Sequence, residues 1–360
     1  MSVRVALVGG PMYDHLYDMV QGRDIEVVVH ADHPSLNSAV AAMLAAGERI
    51  DLISTHSKYV PSQMQWLRPL DDLIDISGLA PLAVDLCRFE GAQWSVPRLI
   101  DVRIAWVRRR HASTTIDTWD QVVGSELVAG FPGRESGLFG TFFELVVGAG
   151  GRLFADDGSP HIESPEAVAA VETLVALARR APANLPDWHY DELDRALLDG
   201  TVDMAGAWPG AWGAIRPLAE AGELVPVRYP AGERRWVSYA GCHAWAVPAT
   251  CGDLAGALEL LRVLTSSEAN RLDATGGNVC AHVEAFADIG PTSDVDRRRL
   301  AVTAATIEGA MITYPPHPRF PDLESAGWRA IRSALIGECS PSGAVEQIQR
   351  VAEHVIGPAT

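Results

Sequence analysis

The sequence is short of several features that would assign it a function quickly. Its 360 residues include five cysteines, Cys87, Cys242, Cys251, Cys280 and Cys339, and no two of them form a CxxC pair. An odd count excludes a complete disulfide framework, and the spacing gives no zinc pattern. Buried free thiols are the expected state. No apolar run reaches the roughly 18–20 residues that span a bilayer. Lys and Arg total 29 against 46 Asp and Glu, a net charge of −17, with no basic run longer than three arginines. Such a chain repels phosphate backbones and anionic lipid surfaces, so no nucleic-acid partner is expected. Also absent are G-x-G-x-x-G after a strand, G-x-x-x-x-G-K-[ST], H-E-x-x-H and G-x-S-x-G. The start, "MSVRVALVGG", enters an alternating strand at once and lacks a signal-peptide layout. Either the protein is cytosolic, or the sequence begins after a removed export signal.

What is present suffices for two cores. Hydrophobic residues make up 48% and charged residues 21%, an ordinary globular balance, and the length points to two lobes. Alternation at 3–10, 25–31 and 49–57 predicts strands. A short helix lies between the first two, and a helix over 35–49, capped by Ser35, lies between the second and third. This β-α-β-α-β order implies a parallel sheet, with ligands bound beyond the carboxyl ends of its strands. Those ends carry Gly9–Asp14 and Thr55–Tyr59.

Residues 93–110 read as a long extended stretch, and a second α/β lobe follows. It has a helix from 118, a strand over 126–133 and helices over 137–151, 164–181 and 189–200. Ser164 caps the second of these helices, Pro165 opens it, and Gly200 stops the third. A strand over 201–208 completes this lobe. The stretch 236–249 then alternates, with Val237, Tyr239, Gly241, His243 and Trp245 on one side. Helices at 253–266, 267–275 and 294–308 precede a Pro-rich connector at 311–322, and helices at 323–336 and 341–356 close the chain.

The polar clusters carry no catalytic signature. "HADH" (30–33) puts His30 and His33 at metal-binding spacing, although solvated loop histidines are several times more common. Asp71, Asp72 and Asp75 suit the polar face of a turn, as do Asp156 and Asp157. The stretch "DMAGAWPGAWGAI" (203–215) is different: Trp208 and Trp212 rise from residues no larger than Ala and Pro. Protruding indoles on a bare backbone suit a flat apolar ligand face.

Several segments, in order, resemble the extracellular solute-binding proteins of ABC importers, the group that includes maltose- and oligosaccharide-binding proteins. They are "LRPLDDLID", "SVPRLIDVRIAWVRR", "GAGGRLFADDGSPHIESPEAVAAVETLVALA", "LLDGTVDMAGAWPGAW", "YAGCHAWAVPATCGDLAGALELLRVLTSSEANRLDATGGNVCAH" and the C-terminal "ITYPPHPRFPDLESAGWRAIRSALIGECSPSGAVEQIQRVAEHV". The resemblance implies a two-lobed, periplasmic-binding-protein-like α/β fold of type II. One lobe would be 1–107 with 240–308 and the other 108–239 with 309–360. Three crossings would form a hinge, and the ligand would lie in the cleft between the lobes.

The implied function is non-enzymatic capture of a carbohydrate, polyol or sugar acid for a permease and its ATPase. The protein would be a monomer outside the cytoplasmic membrane, with no cofactor and no metal. Aromatic rings stack on the C–H face of a sugar, while polar groups bond its hydroxyls. Trp208 is the first choice for stacking, and Trp212 either joins it or packs in the core. Carried over position by position, Tyr13, Asp14 and His15 follow the first strand, and His56, Ser57 and Tyr59 follow the third. Asp101 precedes the first crossing; it and Arg103 bind sugar together or pair with each other. Ser136 and Phe139 open a helix, Tyr239, Gly241 and His243 line the return strand, and Asn278 and Phe320 are weaker candidates. Trp328 is either a hinge aromatic or, the favoured reading, core. Arg103 or Arg134 at the ligand would favour an acid. The missing signal and the extra thiols leave two alternatives: an enzyme on this fold, using Asp101 with His56 or His243, or a cytosolic sensor.

Overall fold

The computed structural model describes residues 2–10, 13–114 and 116–356. The chain forms two compact units. The first comprises Met1–Asp101, Gly241–Gly290 and Pro316–Pro318; the second comprises Val102–Ala240, Pro291–Pro315 and Arg319–Thr360.

The sheet of the first unit has the spatial order Val279–Cys280, Val96–Val102, Ser238–Ala246, Leu52–His56, Val3–Val8, Ile25–Ala31. The three N-terminal strands are parallel, as their alternation with helices requires. Ser238–Ala246 runs antiparallel to Leu52–His56, with His243 opposite His56. Leu52–His56 and Val96–Val102 are buried along their whole lengths, the behaviour of central strands covered on both faces. The helix expected over 35–49 is His33–Ala45, and its cap is Asp32, whose side chain accepts from the Ser35 N–H at 2.9 Å. Asp and Ser are comparable caps, so sequence alone does not rank them. Pro34, in the first turn, suits the earlier start.

In the second unit a four-stranded sheet has the order Leu224–Val227, Ile104–Arg108, Met204–Ala207, Ala129–Gly130. The strand expected over 126–133 contracts to its centre. Gly133 lies so close to Leu185 that a Cβ would stand 1.9 Å from the Leu185 carbonyl oxygen. Helices Glu135–Gly148, Pro165–Ala178, Phe320–Leu335 and Pro341–Ile356 share one core. Pro165–Ala178 shows why. Ser164 accepts from the Ala167 N–H, Pro165 opens the first turn, and Ala167, Ala170, Val171, Leu174 and Leu177 form the buried stripe.

Residues 291–308, grouped with the first lobe in the sequence reading, pack in the second unit, where the Arg299 guanidinium lies 4.6 Å from the Trp212 ring centroid. The connector read at 311–322 is shorter. Met311–Ile312 pairs with Ser238–Tyr239, and the next helix starts at Phe320. Of the five thiols, Cys87, Cys242 and Cys280 are buried, whereas Cys251 and Cys339 are half-buried.

Asp51 ties the first unit together. It is fully buried, accepts from the N–H groups of Arg4 (2.8 Å), Gly252 (2.8 Å) and Asp253 (3.3 Å), and pairs with Arg49 at 2.6 Å. Burial alone would raise its carboxyl. These donors outweigh burial and hold it at about 2. The sign follows: the stabilisation is full above the unfolded pKa of about 4 and is lost as pH falls toward 2. Asp51→Asn is expected to lower stability at neutral pH by about 2 kcal/mol and to flatten the loss between about pH 4 and 2. Urea unfolding at a series of pH values measures both.

Candidate functional site

In the first unit the carboxyl ends of the strands feed one polar cluster. Tyr13 follows Val3–Val8, His33 follows Ile25–Ala31, and His56 ends Leu52–His56. Val96–Val102 supplies Asp101, and Ser238–Ala246 supplies His243. Tyr13 Oη lies 3.1 Å from His33 Nε2 and 2.8 Å from His243 Nδ1, and those nitrogens are 2.9 Å apart. On the other side of the His243 ring, Nε2 lies 2.5 Å from Asp101 Oδ2. Asp101 Oδ1 is buried and has no hydrogen-bond partner among the described residues.

His56 faces His243 with ring centroids 5.3 Å apart, and its Nδ1 accepts from the Lys58 N–H at 3.2 Å. This packing requires Gly241, where a Cβ would stand 2.1 Å from His56 Cε1. Burial, reinforced by the neighbouring His243, holds His33 and His56 well below the usual histidine pKa, so both rings are neutral near pH 7. Arg98 lies 4.7 Å from the Tyr13 ring centroid. Its charge is met by Asp273 in a two-pronged pair at 2.9 and 2.6 Å.

In the second unit the strand Met204–Ala207 delivers a half-buried Trp208. Tyr190 and Tyr239 meet it edge to face at 5.8 and 6.0 Å. The Arg103 guanidinium lies 5.2 Å from the Trp208 centroid and 5.3 Å from that of Tyr229. Arg103 bonds Glu144, whose other oxygen accepts from the Tyr239 N–H at 2.6 Å. Burial pushes the Glu144 carboxyl up, against the pull of Arg103. A guanidinium keeps its charge in proteins, so Glu144 serves as its counter-ion. Tyr314 packs beneath, with centroids 4.4 Å from Tyr239, 4.8 Å from Phe143 and 4.2 Å from Phe320.

The residues singled out by sequence divide between these two surfaces and the cores. Tyr13, His56, Asp101 and His243 meet in the first cluster, with Gly241 beneath His56. Trp208 and Tyr239 meet in the second. Asp101 pairs with His243 and Arg103 with Glu144, so of the two readings of Asp101 and Arg103, joint sugar binding or pairing with each other, the second gives way to a separate partner for each. Phe139 and Phe320 are corrected to core: they are 0% and 1% exposed, and Phe139 packs so tightly on Gly327 that a Cβ there would stand 2.2 Å from its ring. Trp212 is also core, stacked on Trp106 at 5.9 Å, and Trp328 packs against the same core. Ser57 is bound to Cys242 backbone on both sides, accepting through Oγ and donating through N–H. Tyr59 is buried with the Lys58 ammonium 4.7 Å from its ring. His15 lies 3.0 Å from Asp273, and Asp14 is exposed. Ser136 is half-buried in the first turn of Glu135–Gly148, and Asn278 is buried with Oδ1 lacking a partner.

Four contributors escaped the sequence reading. His33 sits in "HADH" at a strand end, a spacing that a solvated loop explains equally well until the fold brings it to His243. Glu144 had a clear signal too, as the one carboxylate in the apolar run "LFGTFFELVV". Arg98 and Tyr190 had none.

Residues 18–289 match the sequence profile of the bacterial extracellular solute-binding proteins. Three solved structures share the fold. Maltose-bound MalE3 of T. maritima has a TM-score of 0.87 at 18% identity, over 98% of this chain and 99% of its own. A solute-binding protein of Thermotoga lettingae TMO bound with alpha-D-tagatose has a TM-score of 0.83 at 18% identity, over 99% of this chain and 100% of its own. One from Agrobacterium radiobacter K84 in complex with ribitol has a TM-score of 0.85 at 16% identity, over 98% of both chains. With the profile covering more than half of its length and the fold matched end to end, this chain belongs to the bacterial extracellular solute-binding protein family.

Proposed function

We propose that the protein captures a neutral carbohydrate or polyol outside the cytoplasmic membrane. It acts as a monomer and hands the ligand to the permease and ATPase of an ABC importer. The observation that carries this reading is Trp208, a half-buried indole framed by Tyr190 and Tyr239 and backed by a charge-compensated arginine. A pyranose presents an apolar C–H face that stacks on such a ring. Its hydroxyls need mixed donors and acceptors. The solved relatives carry maltose, tagatose and ribitol, all uncharged polyhydroxy compounds.

Charge bookkeeping favours a neutral ligand over a sugar acid. Arg103 is met by Glu144, Arg98 by Asp273, and Arg134 by Glu135 and Glu192. A carboxylate ligand at any of these arginines would have to break its pair or go uncompensated.

A thermal-shift screen of neutral sugars, polyols and sugar acids tests the reading. A neutral hit at a hundredfold excess over its dissociation constant adds about 2.7 kcal/mol of stability, and Trp208→Ala is expected to remove that shift. Silence across the neutral panel, or a response to acids alone, would overturn the reading. Glu144→Gln leaves Arg103 buried without its counter-ion and is expected to cost about 3–5 kcal/mol of stability. Chemical denaturation measures this, and the double change Arg103→Met with Glu144→Leu should recover most of it.

A further inference from the structure

We propose that the histidine cluster of the first unit binds a first-row divalent transition ion of the zinc type, through His56, Asp101 and His243. One ligand atom from each of these three buried residues can be chosen so that all lie within 4.8 Å of one another. Ligands at roughly 2.0–2.2 Å from a tetrahedral zinc stand roughly 3.3–3.6 Å apart, so the widest separation closes by at most roughly 1.5 Å, and the 2.5 Å approach of Asp101 Oδ2 to His243 Nε2 opens by roughly 1 Å. Two imidazoles and one carboxylate, with a fourth position left to water or a ligand hydroxyl, make an open zinc set.

Three observations point to an ion rather than to hydrogen bonding alone. The first is Asp101 Oδ1, buried with no partner in a residue 8% exposed. An orphaned buried carboxylate oxygen is costly unless something meets it. The second is the 2.5 Å approach of Asp101 Oδ2 to His243 Nε2, two lone-pair atoms that need a proton or a cation between them. A proton fills that gap in the metal-free chain. An ion displaces it, and the proton leaves to solvent.

The third is the support behind His243. Its far nitrogen, Nδ1, faces Tyr13 Oη at 2.8 Å and His33 Nε2 at 2.9 Å. Metal-bound histidines almost always donate their other N–H to such a partner, which fixes the tautomer. Tyr13 and His33 are therefore positioning residues that hold Nδ1–H and leave Nε2 to the ion. Binding has a cost at His56, which must exchange its 3.2 Å bond from the Lys58 N–H for the metal bond. Lys58 opposes the ion electrostatically, whereas Arg98 is already met by Asp273.

The test uses no sugar, so its outcome is read separately from that of the sugar screen. The full chain is stripped with a chelator and titrated with zinc chloride by calorimetry, and cobalt chloride is followed by visible absorption. The expected result is one ion per chain, with the intense cobalt bands of four-coordinate N/O ligation. His243→Gln and Asp101→Asn are each expected to weaken binding at least a hundredfold, and Tyr13→Phe about tenfold. Trp208→Ala should change nothing. Circular dichroism confirms that each variant is folded, and the cobalt spectrum of the unaltered chain needs no variant. Absence of a stoichiometric site, a cobalt spectrum like that of the hydrated ion, or binding retained in His243→Gln would each overturn the proposal. None of these outcomes bears on the response to neutral sugars.

Discussion

The Arg103–Glu144 pair is the constraint around which the second unit is arranged. A guanidinium cannot shed its proton, so placing one in a core obliges the chain to place a carboxylate beside it. Glu144 reaches it from the helix Glu135–Gly148 and uses its second oxygen on the Tyr239 N–H. Ser238 donates to the Arg103 carbonyl oxygen at 2.8 Å, closing the link between the two strands. With both backbone and side chain fixed, the guanidinium becomes a floor under Trp208 and Tyr229. A half-buried indole then keeps a defined orientation instead of collapsing into the core, as Trp212 does against Trp106. Pre-organisation of this kind lowers the entropy lost when a ligand binds.

The first unit solves a different problem by similar means. Polar side chains gathered at strand ends lose solvation and must satisfy one another. Tyr13, His33 and His243 form a closed triangle of contacts, Asp101 completes it on the far side, and Gly241 makes room for His56. His33 and His56 stay neutral because burial disfavours their charged form. Arg98 contributes shape and a cation–π contact to Tyr13, while its charge is absorbed by Asp273. Both surfaces are thus polar or aromatic, with their arginine charges compensated from within.

Much of this was readable from the sequence for definite physical reasons. Strand-helix alternation gave the parallel core of the first unit, where burial on both faces leaves a continuous apolar run such as "VALV" (5–8). Capping chemistry marked Ser164 and Gly200, and the structure has both in those roles. Trp208 stood out because its neighbours are too small to bury it. What escaped was mostly non-local. Ser35 and Asp32 are equivalent as caps until the backbone is seen. Phe139 resembled a site residue by its place near a helix start, but only the packing of Gly327 against it reveals a core position. Arg103 and Asp101, two apart on a strand, looked like a pair; each instead finds a partner far away in sequence, Glu144 and His243. His33 needed the fold to bring it to His243, 210 residues on.

The claim that organises these observations is that Trp208 is a stacking surface for an uncharged polyhydroxy ring. A crystal structure of the chain with the strongest neutral sugar from the screen tests it most directly. The expected result is a ring whose C–H face lies about 4 Å from the Trp208 indole, with Arg103 still paired to Glu144. A ligand bound elsewhere with Trp208 uncovered, or one whose carboxylate has drawn Arg103 away from Glu144, would contradict it.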